Sequence, residues 1–198
     1  MPRLSQVPRS QVSDPVVAYM YERKFGDRDP VASPGTALGS PGHFYTVLAQ
    51  VPDVLAHHAR GFVVFQAGRD LPPLVAELAK ARCGWARSSQ LVYSGHCKGA
   101  RRAGASEEQI AALPHWQVAD CFAPVERAAL AYADALVLGA GRVPDGLFAA
   151  LRAELSEPEI VELTYAVTTY DAHARTARAL RLEFDDRPDP LAEPPPVR

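Results

Sequence analysis

Glu77 and His96 stand nineteen residues apart in the stretch AELAKARCGWARSSQLVYSGHCKGARRAG, residues 76–104. A carboxylate and an imidazole that meet in a part-buried site can exchange protons near neutral pH. For these two to meet, each needs its own helix and a tight turn between. Pro72 and Pro73 open the first helix, whose face carries Leu71, Leu74, Val75, Leu78, Arg82 and Trp85 and which stops near Ser88. Ser88 or Ser89 caps the second, which closes at Gly104. At roughly 100° per residue, Ser89, Val92, Tyr93, His96, Ala100 and Ala103 fall on one side of that helix. Gly95 and Gly99 remove Cβ bulk beside this stripe, so a neighbouring backbone or a ligand can approach His96. Tyr93, one turn from His96, is a candidate donor to a substrate oxygen.

Cys83, Cys97 and Cys121 show no paired motif spacing. Cys83 is rotated by about 120° from Glu77 on a helix, and Cys97 by about 100° from His96, so neither thiol shares a face with its neighbour in sequence. Small buried side chains are the simplest reading of all three. The adjacent pair His57 and His58, and His173 after Asp171, show neither an i, i+4 helical metal pair nor a finger spacing, so no metal and no cofactor is expected. On the last helical stretch Tyr170 and His173 share one face and Asp171 and Arg175 another, which suits a pocket wall or a subunit contact.

The remaining elements are helical as well. A helix over roughly 43–50 ends at Val51-Pro52-Asp53, and a second runs from Asp53 through LAHHARGFVVFQ. Ser106 with Gln109, and Ser156 with Glu159, form capping boxes. Pro124 starts ERAALAYADALVL, and Asp145 or Pro144 starts GLFAALRAEL. No alternating β-branched run suggests a sheet, and the expected fold is all-α with about six or seven helices. Residues 1–42 read as an N-terminal arm with a helical turn or two at Val16–Tyr21, residues 43–184 as the helical domain and residues 185–198 as a Pro-rich tail.

With 198 residues, 47% of them hydrophobic, the chain is long enough for one domain with a real core. A net charge of −2 and scattered basic residues argue against a nucleic-acid partner. No window approaches the ~20 apolar residues of a membrane span. The N-terminus lacks an apolar signal run, and the cysteine usage fits a reducing cytoplasm.

The register around Glu77 resembles that of the carboxymuconolactone decarboxylase family, which includes the alkylhydroperoxidase D type proteins, and the likeness covers roughly residues 43–184. In that family's redox branch a Glu is followed twelve, fifteen and nineteen residues later by Cys, Cys and His, and the corresponding residues here are Ser89, Val92 and His96. The register is kept and both thiols are gone. In the non-redox branch a Tyr-Glu-Trp triplet precedes the His, and here it is Leu91, Val92 and Tyr93. Arg82, Trp85 and ARRAGASEEQIAAL are also similar to the family's pattern.

The resemblance implies an alkylhydroperoxidase D-like helical bundle assembled as a homotrimer or a dimer of trimers. The expected activity is acid/base chemistry on a small organic molecule: decarboxylation, isomerisation or lactone handling. Glu77, His96 and Tyr93 would act in a pocket lined by Ser89, Val92, Cys97, Tyr170 and His173. On this reading Glu77→Gln or His96→Ala abolishes turnover with little loss of stability. Two other readings stand beside it, a thiol peroxidase of the redox type and a small-molecule-binding or scaffold protein without chemistry.

Overall fold

In a computed structural model, which describes residues 1–37, 39–63 and 68–183, the fold is all-α as expected, with nine α-helices and no strand among the described residues. Two units are built from them. The first holds the described residues up to Val63 and those from Thr176 onward, and the second holds Gly68–Arg175. The Pro-rich tail and the end of the LAHHARGFVVFQ stretch lie outside the described residues.

The first unit begins where the sequence suggested an arm. Asp14 accepts hydrogen bonds from the N–H groups of Val16 and Val17, and Pro15 takes the first helical position, so α1 runs over Pro15–Phe25, longer than the turn or two expected. It ends at Gly26, whose φ of 63° a glycine adopts without strain. Val17, Tyr21 and Phe25 form its buried face, and the Tyr21 hydroxyl donates to the Val7 carbonyl at 2.6 Å. Two further helices, α2 (His43–Leu48) and α3 (Pro52–Val63), pack with α1 in this unit. The orphan N–H groups at the start of α2 are met by Glu183, a buried carboxylate that accepts from Gly42 at 2.8 Å and from Phe44 at 2.7 Å.

The second unit is organised around α4 (Pro73–Ala86), with α5 (Gln90–Arg102), α6 (Glu107–Ala112), α7 (Pro124–Val137), α8 (Asp145–Glu154) and α9 (Glu157–Leu180, up to Arg175 in this unit). Ser89 is the cap of α5, accepting from the Val92 N–H, while Ser88 takes the left-handed turn at φ 53°. The capping box of Ser106 and Gln109 forms in full. At α9 the glutamate half forms, with the Ser156 N–H and hydroxyl both donating to Glu159.

One face of α4, Val75, Ala79 and Cys83, joins Ala129, Tyr132 and Ala133 of α7, Leu151 of α8 and Leu163 and Val167 of α9 in one apolar cluster. Leu78 and Ala81 join Tyr93, Cys97 and Ala100 of α5 with Ile110, Leu113 and Trp116 in another. The remaining side of α4 carries Glu77, Lys80 and Gly84, at i, i+3 and i+7. There α5 comes so close that a Cβ at Gly84 would overlap the Tyr93 backbone, 2.8 Å from its Cα. Gly84 thus sets the depth at which the two helices cross. No helix among the described residues is long and apolar enough to cross a membrane.

Candidate active site

Antiparallel crossing of α4 and α5 at Gly84 brings the side chains a few turns away into register. Glu77 Oε2 lies 2.8 Å from His96 Nδ1, and Lys80 Nζ donates to the other carboxylate oxygen, Oε1, at 2.6 Å. The expected meeting of Glu77 and His96 is present, and a cation that the sequence reading did not assign completes it. Lys80 is 3% exposed, a depth at which a Lys needs a counter-charge. The Tyr170 ring of α9 closes the cluster. It meets the imidazole edge to face, with centroids 4.2 Å apart at 83°, and its face lies 5.5 Å from the Lys80 ammonium.

Gly99 has a specific role in this arrangement. A Cβ there would overlap Glu77 Oε2 and lie 2.7 Å from Cδ, so the missing side chain is the space that the carboxylate occupies. We expect Gly99→Ala to drive the carboxylate away from His96 while the fold survives. The displaced atoms end a flexible side chain, and Ala in place of a helical Gly favours the helix by about 1 kcal/mol. Loss of turnover with a melting temperature within a few degrees of the parent would bear this out; full activity would refute it.

The protonation states follow from the contacts. Burial on its own would raise the Glu77 pKa, but the hydrogen bond to His96 and the charges of His96 and Lys80 outweigh it and hold the carboxyl down at about 2. Burial lowers the His96 pKa below its ordinary value, and the Lys80 charge pushes the same way against the hydrogen bond to Glu77 and its charge. At neutral pH the set is a carboxylate, an ammonium and a neutral imidazole. An ionised carboxylate only accepts, so the ring proton sits on Nδ1 and Nε2 keeps a lone pair. Nε2 has no hydrogen-bond partner among the described residues.

Both shifts make stability rise with pH on the acid side. Glu77 stabilises the fold above its ordinary pKa of 4.5, and that contribution is lost as pH falls through 4.5 toward about 2. The His96 contribution begins to go once the unfolded chain takes up its proton below pH 6.5. Denaturant unfolding between pH 7 and pH 3 should show a loss of about 2 kcal/mol from Glu77, with the His96 contribution adding to it in the same direction. A Glu77→Gln variant whose curve is parallel to that of the parent over this range would contradict it.

The other expected site residues fall around this centre in different ways. Val92 and Cys97 are buried, 2% and 0% exposed, and Ser89 is fully buried as the cap of α5. Tyr93, expected to orient a substrate oxygen, is 7% exposed and buried in the cluster of Leu78, Ala81 and Ile110; the ring set against the imidazole is that of Tyr170. His173 is buried one turn further along α9, its ring 6.0 Å from Tyr170. Asp171 and Arg175 form an ion pair at 3.0 Å, and Arg87 joins Asp171 from the end of α4, so this pair ties helices together.

Cys83, Cys97 and Cys121 are thiols, the first two buried. Burial, with the nearby Asp171 charge, pushes Cys83 up to about 12, and its thiol donates to the Val167 carbonyl at 3.7 Å. Cys121 is raised as well, by burial first and then by Glu108. Neither has the depressed pKa of an attacking thiolate.

The chain is similar in sequence and fold to several known proteins. The model of the carboxymuconolactone decarboxylase family matches residues 52–135, the span that carries Glu77, Lys80 and His96. An uncharacterized protein of Bacillus subtilis, YdfG, is 29% identical over 105 residues, 52% of this chain and 71% of its own length. A crystal structure from Agrobacterium tumefaciens, of a protein of unknown function described as a putative antioxidant defence protein AhpD, is 27% identical. It superposes with a TM-score of 0.63 over 68% of this chain and 92% of that one. The unliganded debrominase Bmp8 is 17% identical with a TM-score of 0.70 over 91% and 90% of the two chains, a likeness of fold.

Proposed function

The chain belongs to the carboxymuconolactone decarboxylase and alkylhydroperoxidase D-like superfamily, and from that premise we propose that it is a non-redox acid/base enzyme acting on a small organic molecule. The observation that carries this reading is the 2.8 Å contact from His96 Nδ1 to an ionised Glu77. It leaves Nε2 as a base whose conjugate acid the carboxylate stabilises. His96 Nε2 takes a proton from a carbon next to a carbonyl, the electron pair moves onto the carbonyl oxygen, and the imidazolium returns the proton at a second position. The net result is an isomerisation; where a substrate carboxyl group first gives its proton to Nε2 and then leaves as CO₂, the imidazolium returns that proton to the carbanion. Lactones and β-keto acids with an acidic C–H fit this chemistry.

The thiol route has less support. Ser89 and Val92 stand where the redox register has its cysteines, and Cys83 is 0% exposed with a raised pKa. The assembly belongs to the same proposal. Val161 and Tyr165, one turn apart on α9, are 67% and 44% exposed, an apolar stripe that a homotrimer or a dimer of trimers would cover.

The test uses a panel of unsaturated lactones and β-keto acids in D₂O, followed by proton NMR for deuterium uptake or CO₂ loss. Turnover that depends on His96 and survives replacement of all three cysteines supports the proposal. Hydroperoxide consumption that needs a cysteine, with no turnover of any panel member, overturns it.

A further inference from the structure

Lys80 lies outside the register of Glu77, Ser89, Val92 and His96, yet it is buried beside the proposed base. From its placement we infer that Lys80 is a positioning residue of this site, holding Glu77 by one carboxylate oxygen so that the other stays committed to His96 Nδ1–H and the imidazole keeps its lone pair at Nε2. The inference rests on the acid/base reading above.

The geometry is that of one carboxylate with two candidates for its charge. Lys80 Nζ takes Oε1 at 2.6 Å and His96 Nδ1 takes Oε2 at 2.8 Å. A Glu77 already paired with an ammonium compensates a second cation only in part, and adding a proton to the ring would leave the part-buried trio at +1. A Glu77 facing His96 alone would draw that proton onto the ring, giving an ion pair without a base. Lys80 prevents this by offsetting part of the carboxylate charge while leaving the second oxygen as an acceptor.

The groups facing His96 from the packed helices are consistent with a control held by α4. On α4 they are Glu77 and Lys80. On α9 the face is Tyr170, a neutral phenol edge to face with the ring, and behind it His173, whose ring is 6.0 Å from Tyr170. On α5 itself Gly99 contributes only the space for Glu77. The Tyr170 face, 5.5 Å from the ammonium, keeps Lys80 over the carboxylate instead of letting its long stem swing outward.

The experiment is nitrogen-15 NMR of the histidine rings in the full chain without any substrate, in the parent and in Lys80→Met, Lys80→Gln and Lys80→Arg, together with the pH profile of turnover. Lys80→Met and Lys80→Gln should raise the His96 proton affinity by about tenfold or more, one pH unit in its midpoint. Lys80→Arg, which keeps the charge, should restore the parent midpoint to within a factor of about three. The acid limb of kcat/KM should move up with the midpoint. Lys80→Gln keeps a donor for Oε1 and guards against a folding defect in Lys80→Met.

A midpoint unchanged in both uncharged variants overturns the inference, because Lys80 would then be structural only. The ring measurement needs no turnover, so the two ideas fail separately. A midpoint that follows Lys80 with no His96-dependent activity sinks the enzymatic reading alone. His96-dependent activity with a midpoint indifferent to Lys80 sinks this one alone.

Discussion

His96→Ala is expected to lower kcat/KM by about 10²–10⁴-fold, the range of a positioned general base, while leaving a folded protein. The fold survives because the partners left behind are satisfied by each other: Glu77 keeps Lys80 at 2.6 Å, and the Tyr170 ring keeps its contact with the ammonium. Glu77→Gln should lose a similar factor for a different reason. An amide that turns its NH₂ toward the ring forces the ring proton onto Nε2, and in either orientation it lacks the charge that stabilises the imidazolium. The double variant should be no worse than the poorer single one, since the two residues act as a unit. Losses that multiply would show independent roles and remove the dyad from the mechanism. Full turnover in His96→Ala would end the proposal outright.

The structure changes one part of what the sequence suggested for these variants. With Glu77 read as a partner of His96 alone, its replacement by Gln was expected to spare stability. Lys80 is 3% exposed and ion-paired to that carboxylate, so Glu77→Gln breaks a buried ion pair. Such a loss costs about 3–5 kcal/mol for a fully buried pair and less here, where the Glu77 side chain is 21% exposed. His96→Ala is therefore the cleaner kinetic probe, and Glu77→Gln has to be read at a temperature well below its own melting point.

What could be read from residue order was whatever local chemistry decides. Pro73 starts α4, Ser89 caps α5, and Ser106 with Gln109 boxes α6, each within four residues of the feature it controls. The spacing from Glu77 to His96 then followed, because a hairpin of two helices repeats its contacts every turn or so. Lys80 was hidden because a Lys three residues after a Glu is the commonest sort of exposed helix pair. Only the packing of α5 at Gly84 and of Tyr170 from α9 turns that pair inward, and neither contact is local in sequence. Gly99 was read as room for a neighbouring backbone or a ligand beside His96; what fills the space is the Glu77 side chain. The helix α1 was underestimated because its apolar face, Val17, Tyr21 and Phe25, is short and surrounded by prolines, and its cap Asp14 was not weighed.

Arg82→Ala should be the most damaging single change to stability in the second unit, by about 3–5 kcal/mol. Its guanidinium makes a two-pronged contact with Asp134 of α7, at 2.6 Å and 3.0 Å, and donates to the carbonyls of Leu113 and Pro114 at 3.1 Å and 3.0 Å. It also lies 4.5 Å from the centroid of the Trp85 ring. Asp134 accepts in turn from Trp116 Nε1 at 3.0 Å. One side chain, 4% exposed, thus joins α4, α7 and the short 3₁₀ turn Leu113–Val118. Truncation strands a carboxylate and two carbonyls in the interior, each with a desolvation penalty of its own.

Arg82→Lys restores the charge without the fork and should recover only part of the loss. Arg82→Ala with Asp134→Ala should cost less than the sum of the singles, since the second change removes the charge that the first leaves unpaired. Urea unfolding measures all three. Arg82 points about 140° away from Glu77 around α4, so the folded fraction of Arg82→Lys should turn over substrate at the parental kcat. A normal melting temperature in Arg82→Ala would show that the fork is dispensable. A fallen kcat in the folded Lys variant would mean that the network on this side of α4 reaches the Glu77–His96 pair through the helix itself.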